Sequence, residues 1–153
     1  MKSKIVLLMT LLIFSSHILF AQTQTVIGVV NNNSAQVTTD INTLSQAISQ
    51  ELNDGCTITD IFIDKDEQNN WHLVVWSNYN ELKKTISFPL VISTSNNLTL
   101  SPSDPGYRIC QTTSCIDHCN WKTCSCTDGQ PGHTCDASFG NLSGGAGHIA
   151  SFY

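Results

Sequence analysis

Residues 56–77 read CTITDIFIDKDEQNNWHLVVWS, and in them two runs rich in β-branched and aromatic residues stand on either side of a polar turn. This arrangement is typical of two antiparallel strands joined by a hairpin. Side chains of the second run fall into two alternating sets, as they do on the two faces of a strand: Trp71, Leu73 and Val75 in one set, and His72, Val74 and Trp76 in the other. We therefore predict a hairpin over this segment.

The polar turn of this hairpin carries Asp64 and Asp66 at alternate positions, like the oxygen ligands of a calcium loop. Such a loop also needs a glycine and a glutamate farther along, where this chain has Asn69 and Val75. Turn chemistry alone explains the acidic residues, so we predict a solvated turn. His72 is predicted to be an ordinary strand residue and not a catalytic base.

Upstream of the hairpin, residues 38–55 read TTDINTLSQAISQELNDG and show the spacing of an amphipathic helix. The apolar residues that recur at this spacing are Ile41, Leu44, Ile48 and Leu52. Thr39 or Asp40 can cap the start of the helix, and Gly55 can close its end. We expect the apolar side of this helix to cover one face of a sheet.

Three further runs have the composition of strands: TVIGVV at residues 25–30, KTISFPLVIST at 84–94 and NLTLS at 97–101. The first run ends at an Asn-rich turn, NNNS. Pro89 lies inside the second run, and proline has no N–H to donate to a neighbouring strand. This run is therefore predicted to be an edge strand or to contain a bulge.

Together these elements predict an α+β fold, with one amphipathic helix packed on a small antiparallel sheet. The turn-rich segment SPSDPGY at residues 101–107 places a boundary near Pro105. After it comes a cysteine-rich C-terminal segment, which we predict to be irregular and stapled by disulfides. The predicted organisation is a small α+β domain over residues 22–105 and a cysteine-rich tail over residues 106–153.

The first residues, MKSKIVLLMTLLIFSSHILFAQ, have the pattern of a signal peptide. Two lysines precede an apolar run at residues 5–14, and Ala21 fits a cleavage site. We predict that residues 1–21 are removed and that the mature chain is secreted, periplasmic or extracellular. No later segment is apolar over the roughly 20 residues that a membrane span needs, so no transmembrane segment is predicted in the mature chain.

Charged residues make up only 12% of the chain, and its formal charge of −5 becomes −7 once the two leader lysines are removed. DNA and RNA attract clusters of Lys and Arg, so this acidic balance argues against nucleic acid as a partner. No phosphate loop, nucleophile elbow or zinc-protease motif occurs in the sequence. We predict no catalytic residue and no cofactor, and the sequence indicates no specific partner.

Six of the seven cysteines fall within residues 110–135, CQTTSCIDHCNWKTCSCTDGQPGHTC. Few apolar residues separate them, so this segment needs cross-links to hold a structure. In an oxidising compartment disulfides supply those cross-links, at about 2 to 4 kcal/mol each. The predicted disulfide cysteines are Cys110, Cys115, Cys119, Cys124, Cys126 and Cys135. Their spacing leaves the pairing open, although Cys124 and Cys126 are poorly placed to join each other.

A metal site is the alternative for the same segment. Zinc takes four Cys or His ligands, usually from closely spaced pairs such as C-x2-C, and no C-x2-C occurs here. The ligands available to zinc or copper are Cys115, His118, Cys119, Cys124, Cys126, His133 and Cys135. Because cysteine ligands must be thiolates and export tends to oxidise them, disulfides are favoured over metal.

Seven cysteines cannot all pair within one chain, and Cys56 is the predicted free thiol because it stands apart from the other six. The function predicted from the sequence is that of an exported protein that acts by binding or by surface interaction. The alternative is a metal-binding protein that uses the tail ligands. A third candidate is a secreted hydrolase, for which the folded chain must bring His72 together with an acid.

Overall fold

The computed structural model describes residues 25–101 and 106–142. These residues form eight strands and one helix. In chain order the strands are β1 (Val26–Asn31), β2 (Ser34–Val37), β3 (Thr57–Lys65), β4 (Trp71–Tyr79), β5 (Leu82–Ile92), β6 (Asn97–Leu100), β7 (Gly106–Thr112) and β8 (Asp136–Asn141), and helix α1 (Ile41–Leu52) lies between β2 and β3.

All strand pairs are antiparallel, and β5 is the strand around which the sheet is arranged. Along one edge, β5 pairs with β4 over residues 82–89. Along the other edge, its first half pairs with β7 and its last residues pair with β6, so the sheet forks there. One arm continues from β7 to β8, and the other continues through β6 and β1 to β2.

The sheet is nearly closed, because its first strands approach the hairpin at the opposite edge. Gly28 in β1 lies so close to Ile63 in β3 that a Cβ atom at position 28 would overlap the Ile63 side chain. A hydrogen bond from Lys65 Nζ to Asn33 Oδ1 joins the end of β3 to the β1–β2 turn. A residue without a side chain is therefore needed where β1 passes the hairpin.

Helix α1 covers the inner face of this sheet, where the main apolar core lies. The Asp40 carboxylate caps the helix by accepting a hydrogen bond from the Thr43 N–H at 2.8 Å. Leu44 and Ile48 are completely buried. They pack with apolar side chains that the strands direct inward, among them Leu73, Val75, Ile86 and Phe88.

Several local predictions are confirmed. The hairpin is present as β3 and β4, the apolar run at residues 25–30 forms β1, and the periodic segment forms α1. Within the helix, Ile41 is 46% exposed and does not join the core. The helix also ends earlier than predicted. Asn53, with a φ of 44°, is its C-cap and donates its N–H to the Ser49 carbonyl, so Gly55 lies beyond the end.

The prediction that Pro89 marks an edge strand or a bulge is wrong. β5 has three partner strands, and its register against β4 runs without interruption through the pair of His72 and Pro89. In a strand, the N–H and C=O of one residue point to the same side. The Pro89 carbonyl accepts a hydrogen bond from the Ser101 N–H, on the side away from β4. The missing N–H of Pro89 therefore falls at the fork, where β5 changes partner from β7 to β6.

The predicted fold class, α+β with a small sheet and an irregular cysteine-rich tail, is also wrong. The described residues form mostly antiparallel sheet with one short helix. Two strands, β7 and β8, come from the segment that was predicted to be irregular, and β2 follows directly on the Asn-rich turn. β2 (SAQV) alternates polar and apolar residues over only four positions, which is too few to predict a strand, and β8 (DASFGN) is largely exposed and shows no such alternation.

The predicted signal peptide at residues 1–21 and the predicted boundary near Pro105 lie outside the described residues. Both stay predictions, as does the division into residues 22–105 and 106–153. In the part of the chain that the structure describes, no helix is long and apolar enough to cross a membrane.

Candidate functional site

Residues 113–135, which we call the cysteine loop, leave the sheet at the end of β7 and return at the start of β8. The loop lies on the outer face of the sheet, opposite the face that α1 covers. The strand register places Trp76, Thr85 and Arg108 on that outer face, and all three contact the loop. The alternate residues of the same strands face the apolar core.

Polar strand side chains hold the loop backbone on the sheet. Thr85 Oγ1 donates to the Cys119 carbonyl at 2.9 Å, and this hydrogen bond is buried. Lys83 Nζ donates to the Cys115 carbonyl, also at 2.9 Å. These contacts fix two cysteine residues independently of any sulfur chemistry.

Three disulfides form in this region: Cys110–Cys124, Cys115–Cys126 and Cys119–Cys135. The first ties β7 to the cysteine loop, and the other two join parts of the loop to each other. Cys124 and Cys126 do not join each other. The bonds support the disulfide interpretation of the cysteine-rich segment and are compatible with an extracellular or otherwise oxidising compartment.

Two of these disulfides lie side by side. Cys135 Sγ lies 3.5 Å from Cys115 Sγ and 3.9 Å from Cys126 Sγ. The sulfurs of Cys115, Cys119 and Cys135 all lie within 4.8 Å of one another. Of the candidate metal ligands, these four cysteines are the ones that the fold brings together.

The other candidate metal ligands lie elsewhere. His118 stacks on Trp76 with ring centroids 5.0 Å apart, and burial lowers the pKa of His118. His133 Nδ1 lies 2.9 Å from an oxygen of Asp128, which holds the imidazole beside the loop. Cys124 is bonded to β7. Neither histidine belongs to a group of metal-competent ligands among the described residues.

Cys56, the predicted free thiol, forms no disulfide among the described cysteines. Its N–H donates to Asp54 Oδ1 at 2.9 Å, and the other oxygen of Asp54 pairs with Lys84 Nζ at 2.7 Å. Burial, together with the Asp54 carboxylate, raises the pKa of the Cys56 thiol. A raised pKa keeps the thiol protonated and poorly reactive.

A cleft of about 550 Å³ lies between the cysteine loop and the β3–β4 turn. Its wall on the loop side includes Trp121, and its wall on the turn side includes Asp66 and His72. Arg108 of β7 and Phe139 of β8 form a cross-strand pair on the outer face and also line the cleft. Phe139 is 79% exposed. The cleft therefore combines aromatic surface with charged groups of both signs.

The structure brings His72 and Asp66 together in this cleft, with His72 Nε2 3.2 Å from Asp66 Oδ2. Burial acts to raise the pKa of Asp66, but hydrogen bonds from Asn70 and His72 outweigh it and hold that pKa below its usual value. The imidazole packs against Trp121 with ring centroids 4.9 Å apart. His72 Nδ1 is buried and has no hydrogen-bond partner in residues 25–101 and 106–142, so no nucleophile is bonded to it there.

Arg108 is the chain's only arginine. Its Nη1 donates to the loop carbonyls of Trp121 and Lys122, at 3.4 and 3.1 Å. Its Nε is buried without an acceptor, and no carboxylate of the described residues forms an ion pair with it. Lys122, by contrast, pairs with Asp64 at 2.9 Å. Arg108 is thus a cation of the cleft with hydrogen-bonding capacity that the described chain does not use.

A second cleft, of about 450 Å³, lies on the other side of Trp121. Phe62, Trp76 and His118 give it an aromatic lining. Asp64, an acidic residue on this side, already accepts a hydrogen bond from Trp121 Nε1 at 3.2 Å and pairs with a lysine. The larger cleft is therefore the better candidate for a ligand site.

Sequence reasoning missed three residues that shape the larger cleft: Arg108, Trp121 and Phe139. Arg108 and Phe139 lie on β7 and β8, the two strands that the sequence did not predict. The sequence offered only a weak signal for them: the chain has a single arginine, and a tryptophan stands among its clustered cysteines. His72 and Asp66 were singled out, but as a strand residue and a turn residue.

Comparisons with family models, with curated proteins and with solved structures find no match for this chain. A functional assignment therefore rests on the geometry and chemistry of the larger cleft.

Proposed function

We propose that this chain is an exported protein that binds a small organic anion in the larger cleft and does not catalyse a reaction on it. The observation that carries the proposal is that Arg108 lines the cleft and forms no ion pair with a carboxylate of the described residues. A carboxylate that meets an accessible edge of a guanidinium forms charge-assisted hydrogen bonds with it, and these are stronger than bonds between neutral groups.

The aromatic side chains of the cleft indicate what the rest of the ligand resembles. Phe139, which is largely exposed, pairs across the strands with Arg108, and Trp121 also lines the cleft. Aromatic rings next to a cation favour a carboxylate attached to a ring or to an apolar stem. Because the mature chain is predicted to carry a net negative charge, long-range attraction does not bring an anion to the protein, and affinity rests on these short-range contacts.

Calorimetric titration with ring carboxylates tests the proposal. The probes are benzoate and glucuronate, and their neutral counterparts are benzamide and glucose. We expect any carboxylate that binds to have an affinity at least about tenfold higher than its neutral counterpart, because only the carboxylate pairs with Arg108. Equal affinity for acid and neutral counterpart, or no binding by either acid, would contradict the proposal.

Two variants locate the binding site. Phe139→Ser removes exposed aromatic surface from the cleft and is expected to weaken binding of ring carboxylates without unfolding the chain. The matched control is Ile116→Ser, because Ile116 is 63% exposed on the cysteine loop and does not line the cleft. Arg108→Lys keeps the charge but loses the planar fork, so it is expected to weaken carboxylate binding as well.

The exported location rests on the predicted signal peptide, and the three disulfides are compatible with it. We expect N-terminal sequencing of protein recovered outside the cytoplasm to begin at or within a few residues of Gln22. Recovery of a chain that still carries Met1 from the membrane fraction would contradict export by cleavage.

A hydrolase is the second candidate, because the cleft brings His72 to an acid. Binding is preferred since no nucleophile of the described residues is bonded to His72 Nδ1. Esters and glycosides of the same carboxylates distinguish the two functions. Their hydrolysis by the wild-type protein, with loss of that activity in His72→Gln, would replace binding with catalysis.

A further inference from the structure

Four sulfurs of the cysteine loop stand close to where a tetrahedral metal site needs them. Zinc–thiolate bonds of about 2.3 Å in a tetrahedron place neighbouring sulfurs about 3.8 Å apart. Cys135 Sγ lies 3.5 Å from Cys115 Sγ and 3.9 Å from Cys126 Sγ, and Cys119 Sγ lies within 4.8 Å of the sulfurs of Cys115 and Cys135. After reduction, each bonded pair has to open by about 1.7 Å, and Cys119 and Cys126, whose sulfurs share no group within 4.8 Å, have to move towards each other to complete the tetrahedron.

The backbone around these sulfurs is held by contacts that do not depend on disulfides. Side chains of β5 donate to the carbonyls of Cys115 and Cys119. At the far end of the loop, Thr112 Oγ1 of β7 donates to the Thr134 carbonyl at 2.7 Å. All three contacts remain available when the sulfurs are reduced, so the four thiols are expected to stay close together.

Two of the remaining cysteines pack in the same buried cluster as these four, but their sulfurs are not grouped with them. Cys110 and Cys124 belong to no group of metal-competent ligands among the described residues. Cys56 lies beside α1 and β3, next to Asp54. The cysteine ligands of a metal site here are therefore Cys115, Cys119, Cys126 and Cys135, and an Asp128 oxygen also lies within 4.8 Å of the sulfurs of Cys115 and Cys126.

We propose that Cys115, Cys119, Cys126 and Cys135 bind one zinc ion as four thiolates in the newly made chain, before these cysteines oxidise. Zinc binding releases the four thiol protons to solvent. A disulfide-containing oxidant of the thiol–disulfide exchange class later takes two electrons for each bond formed. Two disulfides form in this chain, two oxidant disulfides become four thiols by taking up four protons, and the zinc ion is released.

The test uses the full mature chain, reduced without oxygen by a phosphine, which takes the oxygen of one water molecule for each disulfide that it opens. Co²⁺ is the probe, because cobalt bound to thiolates in a tetrahedron absorbs strongly in the visible range. We expect one Co²⁺ per reduced chain and its displacement by Zn²⁺. The oxidised chain is expected to bind neither ion.

Cysteine variants identify the ligands. Every variant is compared with the wild type in the reduced state, in which neither chain contains a disulfide. Cys135→Ser is expected to weaken Co²⁺ binding by about tenfold or more. Cys56→Ser and the double variant Cys110→Ser/Cys124→Ser are the controls and are expected to bind as the wild type does. Absence of Co²⁺ binding by the reduced wild type, equal binding by Cys135→Ser, or weakened binding by either control overturns the proposal.

Discussion

The disulfide between Cys110 and Cys124 ties the cysteine loop to the sheet, and its removal tests how much the fold depends on that tie. Replacing both residues with Ala removes a cross-link between positions 14 residues apart. Loop-closure entropy for a segment of this length corresponds to about 3 kcal/mol at 25 °C. Cys110 is 1% exposed, and loss of its buried sulfur adds about 1 kcal/mol. The expected decrease in the free energy of unfolding is therefore about 4 kcal/mol.

The matched control is the double variant Cys119→Ala/Cys135→Ala, whose residues are 16 apart and whose Cys119 is 2% exposed. The loop-closure entropy and the burial of the sulfur are nearly the same in the two variants, so we expect a decrease of similar size in the free energy of unfolding. Urea unfolding followed both by far-ultraviolet circular dichroism and by tryptophan fluorescence measures both variants. A decrease below about 1 kcal/mol in the first variant would refute the argument, because the strand contacts alone would then hold the loop.

Three further predictions concern residues away from that disulfide. The hydrogen bond from the Ile116 N–H contributes most to holding the pKa of Asp128 at about 2. The ionised carboxylate therefore stabilises the loop fully at a pH above its unfolded pKa near 3.9, and this stabilisation is lost as the pH falls towards 2. Asp128→Asn is expected to lower the protection of loop amides from hydrogen exchange at pH 6, whereas in the wild type this protection is expected to fall only below about pH 4. Lys84→Met leaves the partly buried Asp54 carboxylate without its cation and is expected to lower the free energy of unfolding in urea by about 1 to 3 kcal/mol. Adding Asp54→Asn to this variant is expected to restore part of the lost stability. Gly140→Ala places a Cβ against the ring of its cross-strand neighbour and is expected to cost about 1 to 3 kcal/mol, seen as a fall in Tm.

Elements that the sequence predicted are those whose apolar pattern is complete within one segment. Each strand of the hairpin is a nine-residue run rich in β-branched and aromatic residues, and α1 repeats its apolar residues over three turns. β7 has no such signal, because its outer face carries Arg108 and Cys110, and the cysteine spacing favoured a loop. Cys110 is nevertheless a strand residue, buried under the cysteine loop and paired across the sheet with Thr85 and Ala137.

Half of the candidate site follows from local structure and half does not. Asp66 and His72 are six residues apart across one turn, so the predicted hairpin already places them near each other. Arg108 and Phe139 meet only because β7 and β8 pair, with the whole cysteine loop between them in sequence. A contact of that separation depends on the topology of the sheet, which neither the cysteine spacing nor the charge pattern determines.

The two faces of the sheet link the disulfides to the proposed binding function. Among the described residues, Arg108 finds its acceptors where the docked loop presents the carbonyls of Trp121 and Lys122. A chain whose loop has lost its tie to β7 keeps the hydrogen bonds from Lys83, Thr85 and Thr112 to the loop but holds the loop wall of the larger cleft, and the carbonyls that orient the guanidinium, less firmly. The Cys110→Ala/Cys124→Ala variant is expected to bind ring carboxylates more weakly even where circular dichroism shows its sheet to be folded. Unchanged affinity in that variant would mean that the sheet alone holds the ligand, and that the loop contributes to stability but not to recognition.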